Sequence, residues 1–250
     1  MPIFNSLDQP AQAVSTSLGI AAGPRPPQVG RASREGKHMT GLMANRSLRA
    51  FLIAQNNQRK LRLFAAACCR SIAAFIVQEQ SWQAIAVAER FADGHASQQE
   101  LDEAFAHAPE EAASVAAYVA YREASVAATA ASERSRLVCA TFAPNEEELV
   151  AVTQHLVAAC IFGRGAAAIP TPSELLVKMA QRAYNERELP SGFLPNYRLA
   201  MLADELELEG QRDQVVLDHL RDPGPHVRGC FALDWVLRSA PAQSKRSQPG

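Results

Sequence analysis

Aromatic side chains make up only 6% of this sequence, within a 48% apolar share dominated by alanine. That scarcity argues against a β-sandwich, whose faces are filled by valine and tyrosine, and favours helices that pack closely through alanine. Long apolar runs are missing too. No stretch nears the roughly 20 residues of a membrane span, so no membrane partner is expected. Residues 3–22 carry neither a basic n-region nor a continuous apolar h-region, which argues against a secretory leader. The cysteines are odd in number (Cys68, Cys69, Cys139, Cys160, Cys230) and lie within apolar helical patterns. Reduced, buried thiols in a cytoplasmic protein are expected, not a disulfide framework. An excess of basic charge is also lacking: the net charge is −1 and the pI near 6.6, without the footprint of a dedicated nucleic-acid binder. No HExxH, nucleophile elbow or dinucleotide fingerprint occurs, which excludes enzymes carried by those motifs. Sites assembled from distant residues are untouched by that exclusion.

What is present is a chain of 250 residues, enough for one large or two small domains with a sizeable core. The charge is unevenly laid out. Residues 43–78 hold Arg46, Arg49, Arg59, Lys60, Arg62 and Arg70 and no acid, whereas residues 79–150 hold thirteen acids against four arginines. Adjacent helices usually pack together, so mutual neutralisation is the first reading. A basic surface for an acidic partner is the second.

Residues 1–41, with GPRPPQVG and few large apolar side chains, read as a disordered N-terminal extension. Residues 42–142 form an N-terminal helical region and 143–238 a C-terminal one packed on it, before a polar tail at 239–250. In residues 58–79, Leu61, Phe64, Cys68, Ile72 and Phe75 recur at three- and four-residue steps, with a second apolar flank, which predicts one long central helix. The next helix stops at Asp93-Gly94. Ser97-Gln98-Gln99-Glu100 is a capping box, opening an alanine-rich stretch to Thr141 that is expected to form one long helix or two nearly collinear ones, with Pro109 in a first turn. Asn145 is expected to cap a helix burying Leu149, Val152, Leu156, Ala159 and Cys160. After a loop at 163–172, Ser173 opens another helix, followed by helices at 197–209 (closed by Gly210), 212–221 and 225–238. No strand pattern competes. The expected class is all-α, a multi-helix bundle of antiparallel helices.

The runs RKLRLFA with Cys68-Cys69-Arg70, AVAERFADG (86–94), AQRAYNER (180–187), LADELELEG (202–210) and HLRDPGPHVRGCFALDWVL (219–237) together resemble an uncharacterised helical family abundant in planctomycete bacteria. The resemblance spans roughly residues 39–238. It implies an all-helical fold and carries over no catalytic or binding residue. Family members typically begin with Met-Thr just before the first helix, where Met39-Thr40 stands here, so residues 1–38 are expected to be an over-extended gene start, with a genuine disordered arm as the rival. Leu220 to Arg228 further resembles the turn of a HEAT-type repeat. Asp222 can satisfy turn amides, Pro223 ends one helix, Pro225 pre-sets the next and Val227 enters the core. One such αα-hairpin cannot bury its apolar face alone and must stack on a neighbour. No second copy is visible at a repeat period, which favours a single hairpin docked on a bundle.

Three polar residues, His226, Cys230 and Asp234, fall at i, i+4 and i+8 of the helix expected over 225–238. On a helix their ends are about 12 Å apart, too far for one ion. His226 and Cys230 could supply two metal ligands, with two more required from elsewhere. The thiol in the middle is the wrong order for a nucleophile triad. A core cysteine, a helix-start histidine and a paired carboxylate are the alternative, and no metal or cofactor is assigned. Adjacent Cys68 and Cys69 diverge on a helix, as do His155 and Cys160. Arg59, Arg62 and Arg70 could reach phosphates, but Phe64 lies on the core stripe and offers no stacking platform. Ion pairs or solvated arginines are the competing account. The leading functional expectation is a non-enzymatic helical scaffold that binds another protein. A metal or thiol enzyme centred on His226 and Cys230, and nucleic-acid binding by the basic helix, are its alternatives.

Overall fold

The computed structural model describes residues 48–108, 115–163 and 171–239. Every regular element among them is helical. The N-terminal extension with Met39, the first turn at Pro109, most of the 163–172 loop and the tail beyond Ser239 lie outside the described residues. The α-helices are α1 (Leu48–Ile53), α2 (Gln58–Ser71), α3 (Glu79–Ala92), α4 (Gln98–His107), α5 (Val115–Val119), α6 (Ala124–Phe142), α7 (Glu147–Phe162), α8 (Glu174–Asn185), α9 (Asn196–Leu208), α10 (Gln214–Arg221) and α11 (Phe231–Ser239). None of them is long and apolar enough to cross a membrane.

Helix α2 is the axis of the bundle. The Asn57 side chain caps it by accepting from the Lys60 amide, and every residue from Leu61 to Arg70 is buried. A helix apolar on several flanks must be covered on several sides, and α3, α5, α6 and α7 all pack on it. Ala124, Ala127, Ala128 and Ala131 are fully buried on α6, and such small side chains let α6 lie close along α2. Between α6 and α7 a buried polar group is satisfied: Gln154 accepts from Ser132 Oγ at 2.8 Å and donates to Ser135 Oγ at 2.8 Å. Helices α8 to α11 extend the same apolar core, with α11 packed on α7, α8 and α10.

Local signals give several boundaries. Ser97 and Glu100 make the reciprocal capping box, Ser173 caps α8 by accepting from the Leu176 amide, and Gly94 closes α3 at φ 76°. Other boundaries are corrected. The long helix expected over 58–79 stops at Ser71, where the Ser71 hydroxyl takes the Cys68 carbonyl, and the Trp82 indole takes the Ile76 carbonyl at 3.1 Å. The Trp82 bond thus holds the Ile76 carbonyl out of a continuous helical ladder. The alanine-rich stretch is divided into α4, α5 and α6, not one or two collinear helices. The break after α5 is held by the Arg62 guanidinium, which donates to the carbonyls of Val119, Tyr121 and Arg122. Asn145 caps nothing: Pro144 opens a short 3-10 turn and α7 starts at Glu147. Its buried face is also offset, with Val150, Gln154, Val157, Ala158 and Ile161 inward beside Cys160 and Leu149 and Val152 over 40% exposed. Nearly every face of α7 is apolar, so its polar partners on α6 decide which side turns in.

The last helix starts at Phe231, not at 225. Residues 222–230 form a non-helical connection. Asp222 accepts from the Gly224 amide and Val227 is buried, as a turn of this composition requires.

Candidate metal centre

Four metal-binding side chains meet where α7, α10, the 222–230 connection and the start of α11 converge. Cys160 lies in the last turn of α7 and His219 in the last turn of α10. His226 sits in the connection, and Cys230 immediately precedes α11. Their ligand atoms all lie within 4.8 Å of one another. His219 Nε2 is 3.3 Å from Cys230 Sγ, and Cys160 Sγ is 3.8 Å from His226 Nδ1. A tetrahedral zinc ion at standard bond lengths separates its sulfur and nitrogen ligands by ~3.3–3.8 Å, so these separations already match or need to contract by about an ångström.

The connection that delivers two of these ligands is built residue by residue. Asp222 ends α10, and its carbonyl lies 2.8 Å from His226 Nε2. A carbonyl can only accept, so Nε2 carries the proton and Nδ1 presents its lone pair to the centre. Such an outer hydrogen bond is the usual way a metal-bound imidazole is oriented. The Leu194 amide donates to the His226 carbonyl at 2.9 Å, fixing the backbone from the α8–α9 loop. Gly229 then turns the chain at φ 86°, and a Cβ there would stand 2.9 Å from Leu63 Cδ1 of the central helix. Cys230 follows, its amide bonded to the Val227 carbonyl and its own carbonyl accepting from the Asp234 amide.

Three of the four ligands are shut off from solvent, Cys160, His226 and Cys230 being at most 1% exposed, while His219 is half-buried. Its rings pack on each other, with His219 edge-on to His226 at 4.7 Å and against Phe231 at 4.4 Å. Burial opposes ionisation of Cys230, but hydrogen bonding from the Cys160 thiol and the charge and hydrogen bond of His219 hold it well below the usual thiol range. Cys160 is pushed the other way, by burial and by the neighbouring Cys230. A cation bound there would supply the drive to ionise the thiols.

A layer of charge surrounds the ligand-bearing connection. Asp93, at the end of α3, pairs with Arg228 at 2.7 Å and accepts from Arg59 Nε at 2.9 Å. Arg59 also pairs with Asp234 and donates to the Tyr184 hydroxyl at 2.7 Å. Arg228 stacks over the Tyr184 ring at 4.8 Å. Burial pushes the Tyr184 hydroxyl up to about 12, and Asp93 adds to the effect while Arg59 opposes it.

The expected trio of His226, Cys230 and Asp234 is therefore divided. Two meet Cys160 and His219, while Asp234 turns to Arg59 and Arg238. The separation argued from a helix over 225–238 does not apply, because His226 and Cys230 precede α11. Sequence reasoning missed His219 and Cys160. His219, His226 and Cys230 fall within twelve residues, a cluster that flags three ligands; Cys160, 66 positions before His226, had no local signal. His155 turns to its own helix carbonyl at Ala151. Cys68 and Cys69 are buried thiols in α2; Cys69 is pushed up to about 12 by burial.

The candidate interaction arginines face inward. Arg62 is 2% exposed and Arg70 6%, and Arg70 makes a two-pronged pair with Glu89 at 2.8 and 3.0 Å. Arg59 lies in the Asp93–Asp234 network, so two of the three pair with acids of the 79–150 segment. Comparison with known proteins returns no matching family model, and no curated protein or solved structure with significant similarity.

Proposed function

We propose that this protein is a non-enzymatic helical scaffold whose C-terminal helices are held on the bundle by a structural zinc ion bound to Cys160, His219, His226 and Cys230. The observation that carries the reading is the convergence of two thiols and two imidazoles, one from α7 and three from residues 219–230, within 4.8 Å. Two sulfurs and two nitrogens suit zinc better than calcium or magnesium, which prefer oxygen. Four protein ligands leave no position for water or substrate, which is the mark of a structural site and not a catalytic one. A thiol enzyme is disfavoured on the same geometry, since Cys230 is 0% exposed and a nucleophile must reach its substrate. Nucleic-acid binding by α2 is disfavoured by the inward commitments of Arg59, Arg62 and Arg70. Five buried cysteines with no disulfide among them support a reducing, cytoplasmic setting. In the wider reading the partner of the scaffold is another protein.

Metal analysis of the purified full-length chain tests the proposal. About one zinc per chain is expected, with Cys160→Ala and Cys230→Ala each abolishing stoichiometric binding and lowering the melting temperature. Metal-free protein that takes up no zinc after reduction and zinc addition overturns it.

A further inference from the structure

Resting on the zinc reading, we infer that Asp93 is a positioning residue for the metal centre: acting through Arg228, it fixes the 222–230 connection in the shape that aims His226 and Cys230. Arg228 stands two residues after one ligand and two before the other, so where its side chain is anchored constrains both. Its guanidinium reaches Asp93 at 2.7 Å and lies over Tyr184 at 4.8 Å. Asp93 is itself held. Its side chain is 8% exposed, and it receives Arg59 Nε at 2.9 Å and the Tyr184 hydroxyl at 3.2 Å. These partners come from α2 and α8, elements that contribute no ligand. The carboxylate therefore ties a non-helical segment to three packed helices.

The connection needs such a tie because few regular backbone bonds support it. Outside its own turns, the Leu194 amide on the His226 carbonyl and the Asn196 side chain on the Pro223 carbonyl are the contacts that flank it upstream. The stretch between His226 and Cys230 relies on buried Val227 and on Arg228. Asp234, on the far side of Cys230, is bound to the same Arg59 that binds Asp93. Arg59 thus couples the start of α11 to the anchor of the connection. Neither Asp93 nor Arg228 belongs to the tetrad, and the two carry opposite charges, so a loss of affinity common to both variants reports geometry and not Coulomb attraction to the ion.

The test uses full-length protein, zinc competition against a chromogenic chelator and the visible spectrum of the cobalt-substituted form. Asp93→Asn is expected to weaken zinc about 10- to 100-fold, as loss of outer support does at other metal sites, and to alter the ligand-field bands of cobalt. Arg228→Met is expected to do the same. The double variant should lose less than the sum of the two single losses, since both remove the Asp93–Arg228 pair. Asp93→Glu should recover part of the affinity. Arg62→Leu, which disturbs α5 away from the centre, should lower stability and leave affinity and spectrum unchanged. Should Asp93→Asn fail to fold, Arg228→Met carries the same reading. Wild-type affinity and spectrum in a folded Asp93→Asn or Arg228→Met, or additive losses in the double variant, overturn the inference while leaving the zinc site standing. Absence of zinc binding by the wild-type chain overturns the site itself.

Discussion

Among the described residues, Arg62 is a cation buried without a carboxylate partner. Burial lowers its pKa to about 10, and its charge is met by three carbonyls at the end of α5 and by the Phe91 ring at 5.2 Å. Removing it leaves the buried Val119 carbonyl, and the two part-buried ones beside it, short of donors. Arg62→Leu is therefore expected to cost about 2–4 kcal/mol, given 1–3 kcal/mol per orphaned buried group, measured by urea denaturation. Glu89 is the complementary case, one carboxylate between Arg70 and Arg187, with bonds of 2.7 to 3.0 Å. Burial opposes its charge, but the two arginines outweigh burial and hold its pKa below the usual carboxylate range. Its stabilisation is therefore complete above the unfolded value of about 4.3 and fades as the pH falls through the lower folded value. Glu89→Gln should cost about 3–5 kcal/mol near neutrality and flatten the acid limb of the stability–pH curve. An unchanged limb would show that other carboxylates set it.

At the scale of elements, two glycines control how the ligand-bearing pieces meet. A Cβ on Gly163, just after α7, would fall 2.2 Å from the Phe231 ring and 2.9 Å from the Ala159 carbonyl. The ring cannot yield without disturbing His219, on which it packs. Gly163→Ala is expected to lose about 1–3 kcal/mol by overpacking and to weaken zinc. Gly229→Ala adds a left-handed backbone penalty of about 1–2 kcal/mol to its clash with Leu63. Thermal melts and zinc titration read both, and retention of wild-type affinity in Gly163→Ala would separate the ring packing from the metal site. The same elements show what a sequence discloses. The ends at Ser97, Ser173 and Gly94 are written within four residues of themselves and were legible. The break at 120–123 depends on Arg62, and the break after Ser71 is reinforced by Trp82, whose roles appear only once the chain is folded. The buried face of α7 was misjudged because its periodicity is nearly featureless and Gln154 decides it through Ser132 and Ser135. Half the tetrad was legible as His226 and Cys230. Assigning them to a helix hid His219 from the argument, and nothing near Cys160 announces its distant partners.

For the whole molecule, the tetrad lies where the later helices join the earlier ones. Cys160 belongs to α7, which packs on α2 and α6, while the other three ligands belong to the segment after α9. A bound ion there closes the loop from Cys160 to His219, and its stabilisation follows mass action, about 4 kcal/mol when free zinc exceeds the dissociation constant a thousandfold. Removal of the ion should act unevenly. Helix α2 is covered on several sides by helices that the centre does not hold, whereas α10 touches the rest through α9, α11 and the centre. Stripping zinc with a chelator is expected to lower the melting temperature and to raise amide exchange first in 214–239, with α2 and α6 keeping most of their protection. Regions that open at different free energies exchange at different rates, so hydrogen-exchange mass spectrometry on the two forms resolves the order. Uniform loss of protection from α2 to α11 would instead make the ion a support for the global fold, and no change anywhere would remove it from the stability of this bundle.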